Sequence, residues 1–120
     1  MRVLLDENLP HKLRGHLSRH ETVTASYAGL AGHKNGALLK AAEDAGFDVL
    51  VTGDTTLRYE QNLTSRKLAI VCLSANSWRI IQRHTDKIAA AVDAAVPGSF
   101  TTVDCGVFAR RAKPPSPDLA

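Results

Sequence analysis

The chain has 120 residues, 44% of them apolar and only 5% aromatic, with a formal net charge of +3. These values exclude a disordered or membrane chain and fit one domain with a single hydrophobic core. Much of the charge sits in residues 106–120, where Arg110, Arg111 and Lys113 outnumber Asp118, so the remainder is near neutral and tolerates a nucleic-acid partner without demanding one.

Arg2 to Leu5 reads as a first strand. The chain enters it at once, so no signal peptide is expected and a cytoplasmic location follows. Asn8 is a predicted cap for the next helix, with Pro10 in its first turn, where a missing N–H costs nothing. Leu9, Leu13 and Leu17 recur at spacing four and give that helix one apolar stripe. ETVTA at 21–25 is β-branched and predicts a second strand, followed by a loop holding Gly29, Gly32 and Gly36.

Asn35 caps a predicted helix over 37–45, with Leu38, Ala42 and Ala45 inward and Gly46 closing it. DVLVT at 48–52 and LAIVCL at 68–73 are nearly continuous apolar runs, the pattern of strands buried on both faces. Between them, Thr55 or Thr56 starts a short predicted helix through Tyr59 to Asn62. Ser77 caps one long predicted helix in which Trp78, Ile81, Thr85, Ile88 and Val92 share a face. Pro97-Gly98 turns the chain into FTTVD at 100–104, a last strand at an edge of the sheet.

Strands thus alternate with helices about five times. Right-handed crossovers then give an α/β fold, a three-layer α/β/α sandwich with a mainly parallel central sheet of about five strands. The domain is expected over 1–105, and 106–120 as a basic, Pro-rich, disordered tail. Cys72 and Cys105 lack CxxC spacing and are expected as small buried hydrophobes. FTTVD and the helix at 77–95 both offer surfaces for a homodimer.

In open parallel sheets functional groups gather beyond the carboxyl ends of the strands. Asp6 and Glu7 follow the first strand and Asp54 follows DVLVT; two such apolar strands are expected to be central neighbours. Their acids then converge, and converging carboxylates call for a proton or a cation between them. Oxygen-rich sites suit Mg²⁺ or Mn²⁺, which activate water against a phosphodiester. The plainer reading is that both acids only cap the helices that follow.

LLDENLPHKL at 4–13, GHKNGALLKAAEDAGFDVLVTGDTTLRYEQNL at 32–63 and the strand LAIVCL resemble the DUF5615 group of PIN-like proteins across most of 1–104. The resemblance implies a PIN-like domain and a Mg²⁺- or Mn²⁺-dependent endoribonuclease that cleaves RNA with a metal-activated water. It also implies the toxin of a toxin–antitoxin pair, with a cognate antitoxin protein as partner. Asp6 matches the first acidic position of the pattern and Asp54 the acid of its TxD motif. Many relatives carry a further acidic ligand at the opening of the middle helix, where this chain reads His33-Lys34-Asn35-Gly36. Asn35 offers only a neutral amide oxygen there, and Glu7 is the candidate substitute. Glu43 and Asp44 lie about two turns further on, ~10 Å away, too far to share the ion. Without the third acid, the alternative is a catalytically reduced module that binds a protein or RNA partner without cleavage.

Lys12, Arg14, Lys34 and Arg58 are candidate RNA contacts, either ringing the acids or forming a solvated face. The five histidines lack metal-ligand spacing and read as a surface or capping set, His11 and His33 nearest the acids. A receiver-type domain also clusters acids at strand ends but expects a Lys after a late strand, and LAIVCL is followed by Ser74-Ala75-Asn76.

Overall fold

The computed structural model describes residues 1–33, 35–54 and 66–105, with Asn35 described by its backbone alone. Five strands, β1 (Arg2–Leu5), β2 (Glu21–Thr24), β3 (Val49–Thr52), β4 (Ala69–Leu73) and β5 (Phe100–Val103), form one sheet in the order β2-β1-β3-β4-β5. Every pair is parallel. The expected sandwich is therefore present, with a sheet parallel throughout. β3 and β4 are buried at every position, as their unbroken apolar runs require. β2 and β5 are the edges, and their burial is only partial.

The period of two along each strand sorts the core into two halves. Val3, Leu5, Val49, Val51, Val71 and Leu73 point to one face, against Leu13 and Leu17 of a 3₁₀ helix (His11–Leu17) and against Ile81, Ile88 and Val92. Leu4, Leu50 and Ile70 point to the other, against Leu38, Leu39 and Ala42 of α1 (Asn35–Asp44).

Three local expectations change. The Leu9/Leu13/Leu17 stripe is buried as expected, but its segment is 3₁₀ and not α. Gly15 in its interior weakens an α ladder, and the segment opens with Leu13 N–H donating to the Pro10 carbonyl. Pro10, not Asn8, stands at its N-cap. In α1 it is Leu39 that turns inward, while Ala45 is exposed. Gly46, at φ +86°, ends α1 in a Schellman arrangement: its N–H donates to the Glu43 carbonyl and that of Phe47 to Ala42. The single long helix is two, α2 (Trp78–Ile81) and α3 (Thr85–Asp93). Arg83 and His84 donate to Ile80 and Ile81, and these i→i+3 bonds tighten the turn and break the axis between them.

Cys72 and Cys105 are buried, as expected, and burial pushes the Cys105 thiol above its usual range. Among the described residues no helix is long and apolar enough to cross a membrane. The short helix expected near Thr55–Asn62 and the tail from 106 lie outside the described residues.

Candidate functional site

Strand order reverses at β1, which has β2 on one side and β3 on the other. In doubly wound sheets the crevice at such a reversal, beyond the carboxyl ends, is where ligands bind. Asp6 N–H donates to the Val51 carbonyl at 2.9 Å, carrying the ladder one residue past β1 and setting Asp6 level with Thr52. The two central strands are neighbours, as their apolar character suggested, and their acidic ends share one rim.

One hydroxyl joins the acidic positions. Thr52 is fully buried; its Oγ1 donates to Asp6 Oδ2 at 2.7 Å and accepts from Asp54 N–H at 3.0 Å. Asp6 Oδ1 accepts from Glu7 N–H at 2.8 Å, so both carboxylate oxygens of Asp6 are held. Asn8, expected as a helix cap, clips the same rim instead: its Oδ1 accepts from Gly53 N–H at 3.3 Å. Gly53 suits that place because a Cβ there would sit 3.2 Å from Leu9 Cδ2 and 3.5 Å from the Ala75 carbonyl oxygen.

Asp6 is 7% exposed, and its carboxyl is raised above the ordinary aspartate value. Burial is the largest cause. The hydrogen bonds from Thr52 and from Glu7 N–H oppose it, and the charges of Glu7 and Asp54 add to the rise. Both donors are neutral groups. Among the described residues no Lys, Arg or His forms an ion pair with Asp6.

The remaining candidates divide. Glu7 Oε1 accepts from Gly32 N–H at 2.6 Å, fastening the loop that leads into α1. Asn35 opens α1, but its side chain, Lys34 and Arg58 lie outside the described residues. Lys12 and Arg14 line a groove along the outer side of β2, and Arg14 Nε donates to the Thr22 carbonyl at 2.9 Å. Glu43 is far from the rim, as expected: it accepts from Lys67 and Leu68 N–H at the amino end of β4, and Asp44 pairs with Lys40. His16 lies against Trp78 with the rings tilted at 39°, His20 pairs with Asp93 and His33 contacts the Leu30 carbonyl, which are structural duties.

Among the described residues no three His, Cys, Asp or Glu side chains come together as a metal group. Two carboxylates still fit the hard divalent ions that take one or two protein carboxylates and complete their shell with water. The rim supplies that donor set, and among the described residues the Asp6 carboxyl is held by the Thr52 hydroxyl and the Glu7 N–H, both neutral donors. Thr52 was not singled out from the sequence, although a polar residue closing an otherwise apolar run was the available signal: a buried hydroxyl needs a partner.

No protein-family model, curated protein sequence or solved structure matches this chain.

Proposed function

We propose that this is a PIN-like, metal-dependent endoribonuclease, cytoplasmic, and the toxin half of a toxin–antitoxin pair whose partner is a small antitoxin protein. The observation that carries the reading is the meeting of Asp6 and Asp54 at the ends of two neighbouring central strands, coupled through Thr52. Its nuclease and toxin content comes from the resemblance of LLDEN and LVTGD to the DUF5615 pattern.

In this reading Asp6 and Asp54 would hold Mg²⁺ or Mn²⁺, with Glu7 and, by the resemblance alone, Asn35 as further candidate oxygen donors. Such an ion, when bound, supplies Lewis acidity toward water and toward a phosphodiester oxygen. The chain's own residues prepare the place. Thr52 and Glu7 N–H fix the Asp6 carboxyl group, and Asn8 holds Gly53 against the rim.

Asp6→Asn and Asp54→Asn should each abolish Mn²⁺-dependent cleavage of RNA while the circular dichroism spectrum stays that of wild type. Unchanged cleavage by the double variant removes the reading. The absence of a third converging acid among the described residues favours a second one, a module that binds without cutting. Calorimetric titration with Mn²⁺ separates the two, because a binding-only module has no site that disappears with Asp54→Asn. The receiver alternative expects a Lys directly following a late strand, whereas β4 and β5 are followed by Ser74-Ala75-Asn76 and Asp104-Cys105, and the Lys87 that donates to the Asp104 carbonyl at 2.6 Å comes from α3.

A further inference from the structure

A groove of about 930 Å³ runs along the outer side of β2, between that edge strand and the 3₁₀ helix. His11, Lys12, Arg14, His20, Thr24 and Tyr27 are among its walls. The one carboxylate among its described walls, Glu21, is paired with Arg2 at 3.7 Å. Among the described residues no carboxylate pairs with Lys12 or Arg14, so the groove presents positive charge. Tyr27 is 87% exposed, an aromatic ring left in water beside that charge.

We propose that this groove is the track for single-stranded RNA, with Lys12 and Arg14 on the phosphates and Tyr27 as a platform for an unstacked base; the assignment rests on the ribonuclease reading. Basic grooves with exposed aromatic rings hold single strands by backbone charge and base stacking, whereas a duplex keeps its bases stacked inside. The track leads to the acids. Thr24 pairs with Leu5 in the β1–β2 register and Ala25 N–H donates to the Leu5 carbonyl at 2.8 Å, so the carboxyl end of the groove lies one strand from Asp6. A peptide adding a strand to β2 is the weaker occupant. Arg14 Nε already covers the Thr22 carbonyl that an added strand would use, and this spends one of the five donors of the guanidinium.

The test is fluorescence anisotropy of a labelled oligouridylate on Asp6→Asn protein without divalent metal, across a salt series. Tyr27→Ala should weaken binding roughly ten-fold and Tyr27→Phe should not, because a stacking platform needs the ring and not the hydroxyl. Lys12→Ala should lower the slope of log affinity against log salt by about 0.7, the value of one phosphate contact on a single strand. An oligonucleotide that does not bind, or that binds with the same affinity and slope to Tyr27→Ala and Lys12→Ala, overturns the proposal. So does a duplex RNA that binds more tightly than the single strand, or a protein partner that fills the groove without competing with the oligonucleotide. Failure of the nuclease reading shows separately, as cleavage that survives Asp54→Asn while groove binding stays intact.

Discussion

Glu43 and Asp6 sit at opposite ends of the sheet, and partial withdrawal from water pushes both carboxyls upward. At the amino end of β4, Glu43 receives Arg66 Nη1 at 2.8 Å along with the N–H groups of Lys67 and Leu68, and these outweigh burial and hold it below its ordinary value. At the carboxyl end of β1, the partners of Asp6 among the described residues are a hydroxyl and one backbone N–H, and it ends raised. Among the described residues the two carboxylates differ in their partners: Glu43 has a built-in cation and Asp6 has none. The first arrangement locks a segment to a helix. The second leaves negative charge at the mouth of the crevice, which a cation from solution can satisfy.

Substitution should split the two ends cleanly. Asp6→Asn and Asp54→Asn should reduce Mn²⁺-dependent RNA cleavage on the order of 100-fold or more, the scale on which charge-stabilising groups act. Glu43→Gln should leave cleavage unchanged but cost about 1.5–3 kcal/mol in urea unfolding at pH 7, the worth of hydrogen bonds to a charged group. Because Glu43 is held low, its contribution is complete above its ordinary value of 4.5 and is lost as pH falls through the folded value. The advantage of wild type over Glu43→Gln should therefore shrink in acid.

Thr52→Val keeps the shape and removes the hydroxyl. It should cost about 1–3 kcal/mol, because Asp6 Oδ2 then stays buried without a donor. It should also raise the Asp6 carboxyl further and move the acidic limb of the cleavage profile to higher pH. Asp6 carries the opposite linkage sign to Glu43. Folding binds a proton at Asp6 that the unfolded chain has released, so stability relative to Asp6→Asn falls as pH climbs above 3.8 toward the folded value. Urea midpoints from pH 3 to 8 read both trends in one series.

What could be read in advance follows physical reach. Apolar runs mark buried strands wherever they lie, so RVLL, VLVT and AIVCL were visible, and their centrality brought Asp6 and Asp54 to one rim. The break between α2 and α3 was not visible, because Trp78, Ile81, Ile88 and Val92 keep a helical period across it and the tightened bonds at Arg83 and His84 carry no residue signature. Arg14 could be read as a cation but not as the side chain covering an edge carbonyl, since nothing local says that β2 is an edge. The Arg66–Glu43 pair spans 23 positions and depends on how α1 docks beside β4. Glu7 remained an adjacent acid until Gly32 N–H supplied its partner.

The direct measurement is a carboxyl ¹³C NMR titration that follows Asp6 and Glu43 together, with and without Mg²⁺. A rim that takes a cation predicts that Mg²⁺ draws the Asp6 titration to lower pH and leaves Glu43, which has Arg66, where it was. An Asp6 titration unmoved at saturating Mg²⁺, or one that shifts no more than that of Glu43, contradicts the account.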